Sequence, residues 1–153
     1  MLYLVRHAKA GSRSEWKGDD RLRPLSNKGR IQSDLLAARL APFASGELVS
    51  SPYLRCIETL QPLAAHIDGA VRADERLGED TGFEGALALL GELPDGSVLC
   101  SHGDVIPETI GALQRRGCNI VTEPDWRKAS VWVITRDPDG RFAEAAVWPP
   151  PNE

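Results

Sequence analysis

The chain opens on an uninterrupted apolar run, Leu2-Tyr3-Leu4-Val5, that stops at Arg6-His7. A short run without alternation predicts a strand covered on both faces. From Ser26, a candidate N-cap, the pattern predicts a helix to about Leu40 with Ile31, Leu35, Leu36 and Leu40 turned inward. Gly46 precedes a short strand, Glu47 to Val49. Ser50-Ser51-Pro52 reads as a helix start, because serine satisfies orphan N–H groups and proline suits the first helical position. That helix is expected to continue to about His66. Val71 to Ala73 forms a weaker strand, Glu84 to Leu90 a helix, Asp95-Gly96 a turn, and Ser97 to Ser101 a second buried strand closed by His102-Gly103. The next helix starts between Asp104 and Pro107 and ends at Gly117, with Arg115 and Arg116 favourable to the macrodipole. Val131–Thr135 and Phe142–Val147 flank Asp137-Pro138-Asp139-Gly140 as a hairpin, and the Pro-rich stretch from Trp148 to Asn152 is expected to leave the domain surface.

Alternating strands and helices imply an α/β fold: a three-layer sandwich whose mostly parallel central sheet has helices on both faces, with the C-terminal hairpin adding edge strands. At 153 residues and 42% apolar, the chain has the size of one domain, residues 1–153, around one core. Ligands of such sheets bind outside the carboxyl ends of the strands, so Arg6, His7 and His102 are expected to line one crevice.

Charge narrows the choice of ligand. A net charge of −4 argues against nucleic-acid or membrane surfaces as partners, so any anion site must be a local cluster of cations. The three cysteines, Cys56, Cys100 and Cys118, show no CxxC pair and are expected as free thiols in a reducing compartment. No run approaches the roughly 20 apolar residues of a membrane span, and the N-terminal run is too short for a signal core. A cytoplasmic protein is the expectation.

Arg6-His7 and His102-Gly103 at two strand exits, with Arg55 in the first turn of a helix, would form a phosphate cage if the strands are neighbours. Phosphoryl transfer needs cations on the equatorial oxygens and a nucleophile in line. Arginine's planar fork suits two such oxygens. An imidazole nucleophile must be unprotonated at the attacking nitrogen, and repulsion from Arg6, Arg55 and a protonated His102 is expected to lower the pKa of His7. Arg55 also breaks a local rule, since a cation in the first helical turn opposes the macrodipole while the same helix end favours a bound anion. Each residue alone fits an ordinary structural role; it is the joint placement that points to a site.

Leu4-Val5-Arg6-His7-Ala8 resembles the Arg-His-Gly signature of the histidine phosphatase (phosphoglycerate mutase-like) superfamily, with Ala8 in place of glycine. Ser51-Pro52-Tyr53-Leu54-Arg55-Cys56-Ile57-Glu58-Thr59 is similar to its second motif and Ser101-His102-Gly103 to its third. Asp20-Arg21-Leu22-Arg23-Pro24-Leu25-Ser26 with Gly29 is similar to small phosphohistidine phosphatases, and also to the phosphatase module of Nudix-fused proteins. The resemblance implies His7 as the phosphorylated nucleophile and Arg6, Arg55 and His102 as ligands of the phosphoryl group, with no metal or other cofactor. Gly103 and Arg13 are taken as further substrate-binding residues. For the leaving-group acid, the segment Arg76-Leu77-Gly78-Glu79 suggests Glu79, with Glu75 second and no strong acid as a third case.

The function expected is a phosphatase acting on a phosphomonoester or phosphohistidine through a phosphohistidine intermediate. Its substrate is a phosphorylated small molecule, a nucleotide or a phosphohistidine protein. Two alternatives are a phosphate- or nucleotide-binding regulatory module with little turnover, and a phosphoglycerate-type mutase, for which the chain is short. Lys9 and Ser12, like Arg13, either rim the pocket or belong to a solvated loop, the latter being the simpler reading. His66 reads as structural or solvated, and Cys56 as a buried thiol or an oxidation-sensitive neighbour of Arg55.

Overall fold

A computed structural model describes residues 1–152. The strands are β1 (Leu2–Arg6), β2 (Leu48–Ser50), β3 (Val71–Ala73), β4 (Val98–Ser101), β5 (Asn119–Ile120), β6 (Val131–Arg136) and β7 (Phe142–Trp148). They form one sheet in the order β3-β2-β4-β1-β6-β7-β5. Strands β1 to β4 run parallel, and β6 is antiparallel to both β1 and β7. The helices are α1 (Asn27–Leu40), α2 (Leu54–His66), α3 (Glu84–Glu92) and α4 (Val105–Arg115).

Strand pleating divides the core in two. Leu2 and Leu4 turn to the face covered by α3 and α4, where they join Leu89, Leu90, Ile110, Trp132 and Ile134. Tyr3 and Val5 turn to the opposite face and pack with Leu36 and Leu40 of α1 and Leu60 and Leu63 of α2. This arrangement gives the expected three layers, with β1 at the centre of both clusters.

Four local expectations need correction. In α1, Ile31 is exposed and Leu35 half-buried; Gly29, Ser33, Leu36, Ala37 and Leu40 face inward instead. The reason lies at Gly29, where a Cβ would overlap the Lys9 carbonyl, so the helix docks by its bare backbone and rotates Ile31 outward. Helix α2 starts at Leu54, with Tyr53 as its N-cap; Pro52 lies ahead of the helix, and Ser51 Oγ accepts from the Tyr53 N–H at 3.2 Å. The terminal hairpin is not the sheet edge, because β6 lies against β1 and the two-residue β5 flanks β7 on the outside. Finally, the Pro-rich tail stays on the protein: Trp148 packs with Tyr3 and Phe43, Arg39 donates to the Pro149 carbonyl at 2.8 Å, and Pro151 is buried. Among the described residues, no helix is long and apolar enough to cross a membrane.

Candidate active site

Because β1 and β4 are parallel neighbours with Arg6 opposite Ser101, the chain leaves both strands at one level. His7 and His102 therefore meet, with ring centroids 5.5 Å apart. Both rings are buried. His7 Nδ1 lies 2.8 Å from the Ala8 carbonyl oxygen. A carbonyl only accepts, so Nδ1 carries the proton of the neutral ring and Nε2 holds the lone pair. Burial lowers the His7 pKa from 6.5 to about 3; the Ala8 hydrogen bond opposes that, and the charges of His102, Arg55 and Arg6 add to it. Repulsion by neighbouring cations, the cause read from the sequence, is thus secondary to desolvation. Ala8 sits in the core and donates its N–H to Thr59 Oγ1 at 3.0 Å, which ties this turn to α2.

Arg55 is fully buried at the start of α2. Its guanidinium donates to Glu79 Oε1 at 2.7 Å, Asp20 Oδ2 at 3.1 Å and the Asp20 carbonyl at 2.9 Å. Glu79 Oε1 also accepts from Arg13 at 2.9 Å and lies 3.4 Å from His102 Nδ1, near enough for charge attraction but without hydrogen-bond alignment. The other His102 ring nitrogen, Nε2, is 2.8 Å from Ser51 Oγ and 3.5 Å from Cys56 Sγ. Asp20 further accepts from Arg23 at 2.9 Å. Burial raises the Asp20 carboxyl, and the Arg23 hydrogen bond with the Arg55 and Arg23 charges outweighs it, holding the group below the usual carboxylate range.

Arg6 donates to the Trp126 carbonyl and lies flat against Gly103, where a Cβ would come within 2.7 Å of the guanidinium carbon. Glycine is required there by close approach. Four buried side-chain polar atoms among the described residues have no hydrogen-bond partner, and three are Arg6 Nε, Arg55 Nε and His102 Nδ1. Unpaired buried polar groups are costly and rare, so three among neighbouring residues make this a candidate anion site. Arg6 lines a cleft of about 770 Å³ with His7, Lys9, Arg13, Arg23, Glu79, Asp80, Gly103, Asp104 and Lys128, among others, and Arg55 and His102 lie behind Glu79 of its wall. Among the described residues, no group of three histidine, cysteine or carboxylate side chains is placed to hold a metal ion.

Residues 2–87 match the family pattern of the histidine phosphatase superfamily (branch 1). The chain belongs to that superfamily. An 8-oxo-(d)GTP phosphatase of Mycolicibacterium smegmatis is 35% identical over 98% of this chain, which spans 48% of that relative's length. In fold, the protein histidine phosphatase SixA, solved with tungstate, superimposes with a TM-score of 0.74 at 20% identity, over 96% of this chain and 93% of its own. A mycobacterial glucosyl-3-phosphoglycerate phosphatase superimposes with a TM-score of 0.66 at 18% identity, over 97% of this chain and 98% of its own. The chain thus carries the sequence pattern of the histidine phosphatase superfamily on a fold like that of SixA.

The structure gathers Arg6, His7, Arg55, Glu79, His102 and Gly103 at one place. Arg13, Lys9 and Ser12 are exposed in a loop that also lines the cleft, so the loop and rim readings hold together. Glu75 is separated from the group: its side chain is 77% exposed and pairs with Arg21. His66 is exposed at the end of α2, and Cys56 is fully buried. Sequence reasoning missed Asp20, Arg23 and Lys128. Asp20 and Arg23 stand in the segment similar to phosphohistidine phosphatases, which was the available signal; for Lys128 the sequence carries none.

Proposed function

We propose that this chain hydrolyses phosphomonoesters or phosphoramidates in two steps through a phosphohistidine on His7. The observation that carries this reading is the orientation of His7: Nδ1 is committed to the Ala8 carbonyl, and burial keeps the ring neutral, leaving the Nε2 lone pair for attack on phosphorus. In the first step the Nε2–P bond forms as the bond from phosphorus to the leaving group breaks. Water then attacks the phosphohistidine and releases inorganic phosphate.

Arg6, Arg55 and His102, with the backbone at Gly103, would hold the equatorial oxygens, which gain charge density in the transition state. Their unpaired nitrogens supply the donors. Glu79, 19% exposed in the cleft wall and touching both Arg55 and Arg13, is the candidate to protonate an alkoxide leaving group. Tungstate, an oxyanion, accompanies the SixA structure of the same fold, and the mycobacterial relatives named above are phosphatases, which supports an oxyanion at this place.

One observation favours a second reading, a phosphate-binding module of low turnover. Arg55 is wholly enclosed, with two carboxylates already on its guanidinium. Steady-state turnover of p-nitrophenyl phosphate and a phosphohistidine peptide by the wild type and His7→Ala separates the two. Turnover abolished by His7→Ala supports the hydrolase; saturable phosphate binding without turnover in the wild type supports the module.

A further inference from the structure

The cleft has more cations than one phosphoryl group needs. Lys9 and Lys128 line it together with Arg6, and the same three residues also line an adjoining basin of about 420 Å³. That basin further includes Lys28, Gln32 and Arg127, and no carboxylate lines it among the described residues. Arg127 is neutralised by Asp125 at 2.6 Å. The ammonium groups of Lys9 and Lys128 have no hydrogen bond or ion pair among the described residues, whereas Arg13, Arg23 and Arg55 are all paired with acids.

Lys128 is held in this position by strained backbone. The next residue, Ala129, is fully buried with φ of +70°, a left-handed conformation that costs an alanine about 1 kcal/mol. Its N–H points at the carbonyls of Arg6 and His7, at 3.1 and 3.3 Å, and Arg6 N–H returns to the Ser130 carbonyl at 3.1 Å. The segment is thereby locked to the end of β1. Burial lowers the Lys128 pKa, and Arg6, Arg23, Lys9 and Arg55 lower it further. The charges that act on this half-buried ammonium are cationic, and Glu79, Asp80 and Asp104, which also line the cleft, form no ion pair with it; such an ammonium is unfavourable unless an anion joins it. Strain of this kind at a cleft wall is a mark of function.

We infer that Lys9 and Lys128 form a second anion subsite beside Arg6, which selects substrates bearing a further phosphate next to the transferred one, as in a nucleoside diphosphate. Two uncompensated ammoniums beside Arg6 match the dianion of a phosphate better than a single carboxylate. This deepens the proposed function and rests on it. When the His7 Nε2–P bond forms, the bridging P–O bond breaks and its electron pair leaves on the remaining phosphate. Lys9 and Lys128 neutralise that charge, so this leaving group departs as an anion without receiving a proton. Water attacking the phosphohistidine then forms inorganic phosphate, and the proton it loses passes to the phosphate or to solvent.

Two measurements on the wild type, Lys9→Ala, Lys128→Ala and the double variant test the inference. The first is calorimetric binding of inorganic pyrophosphate and inorganic phosphate, which needs no turnover. The wild type should prefer pyrophosphate, and each substitution should reduce that preference about tenfold, the size of one charge-assisted hydrogen bond. The second is the ratio of kcat/KM for ADP to that for p-nitrophenyl phosphate, which should fall in parallel, with 3-phosphoglycerate as the carboxylate-bearing comparison. An unchanged preference and ratio in the double variant would overturn the subsite. A lysine dependence seen with 3-phosphoglycerate and absent with ADP would overturn its assignment to phosphate. Loss of all wild-type turnover with the pyrophosphate preference intact would sink the hydrolase reading and leave the subsite standing.

Discussion

Glu79 Oε1 lies 2.7 Å from a guanidinium nitrogen of Arg55, and Arg55 has no exposed surface at all. A carboxylate at that distance is both a counter-ion and, through its remaining contacts with Arg13 and His102, a group at the cleft wall. Removing one partner of a buried pair costs about 3–5 kcal/mol when nothing replaces it. Here Asp20 stays on the same guanidinium, so the cost of Glu79→Gln should fall well below that range. Denaturant midpoints of Glu79→Gln, Asp20→Asn and the double variant measure this. The double variant should lose more than the two single losses combined, because each carboxylate backs up the other.

Glu79→Gln should also separate substrates by leaving group. A positioned acid contributes about 10²–10⁴-fold to expulsion of an alkoxide. Turnover of an alkyl phosphate should therefore fall by that order, and turnover of p-nitrophenyl phosphate, whose leaving group needs no proton, by far less. Equal losses on both substrates would assign Glu79 to binding alone. Glu75→Gln should leave the ratio unchanged, as its side chain is exposed and outside the cleft.

Stability should carry the signature of a buried neutral imidazole. His7 titrates at about 3 in the folded protein against 6.5 ordinarily, so between those values the unfolded chain binds the extra proton. Unfolding free energy must then rise with pH across this window and be lost as pH falls through it, by about 1.4 kcal/mol per pH unit. Asp74, held at about 2 mainly by its hydrogen bond from Arg76, also loses stability in acid, but in the lower window from 3.8 down to 2. Urea midpoints at pH 6 and pH 5 should differ in the wild type and converge in His7→Gln. By the same reasoning, the acid limb of the activity profile should show no inflection near 6.5 from His7.

Two glycines should respond in opposite ways. At Gly103 an added Cβ meets the far end of the Arg6 side chain, which can swing away. Gly103→Ala should cost about 1 kcal/mol of stability or less while lowering kcat/KM by about 10–100-fold through a misplaced guanidinium. At Gly29 the Cβ meets the Lys9 backbone, which cannot yield without moving α1 off the sheet. Gly29→Ala should thus destabilise by about 1–3 kcal/mol or more, seen as a lowered Tm.

The parts of this structure that were legible in the sequence are those written in a single local pattern. The apolar runs of β1 and β4 locate the two buried central strands, and their parallel pairing brings His7 and His102 together as the strand exits implied. Arg55, set against the helix dipole, likewise pointed to the site. What the sequence hid depends on contacts between distant segments. Ile31 faces solvent because Gly29 docks on Lys9, and β5, two residues long, leaves no periodicity to read. Asp20 reaches Arg55 from a short 3-10 turn through its ion pairs, and Lys128 reaches the cleft from a loop through a left-handed alanine; neither device has a mark in the hydrophobic pattern.

The central claim is covalent and can be read directly. Wild-type protein mixed with a phosphoryl donor and quenched in alkali, which preserves phosphohistidine, should carry about one phosphoryl group on the peptide containing His7 by mass spectrometry, at Nε2, the nitrogen left free by the Ala8 carbonyl. The modification should vanish in His7→Ala and on brief acid treatment. Full turnover by His7→Ala, or a phosphoryl group trapped on any other residue, would contradict the account.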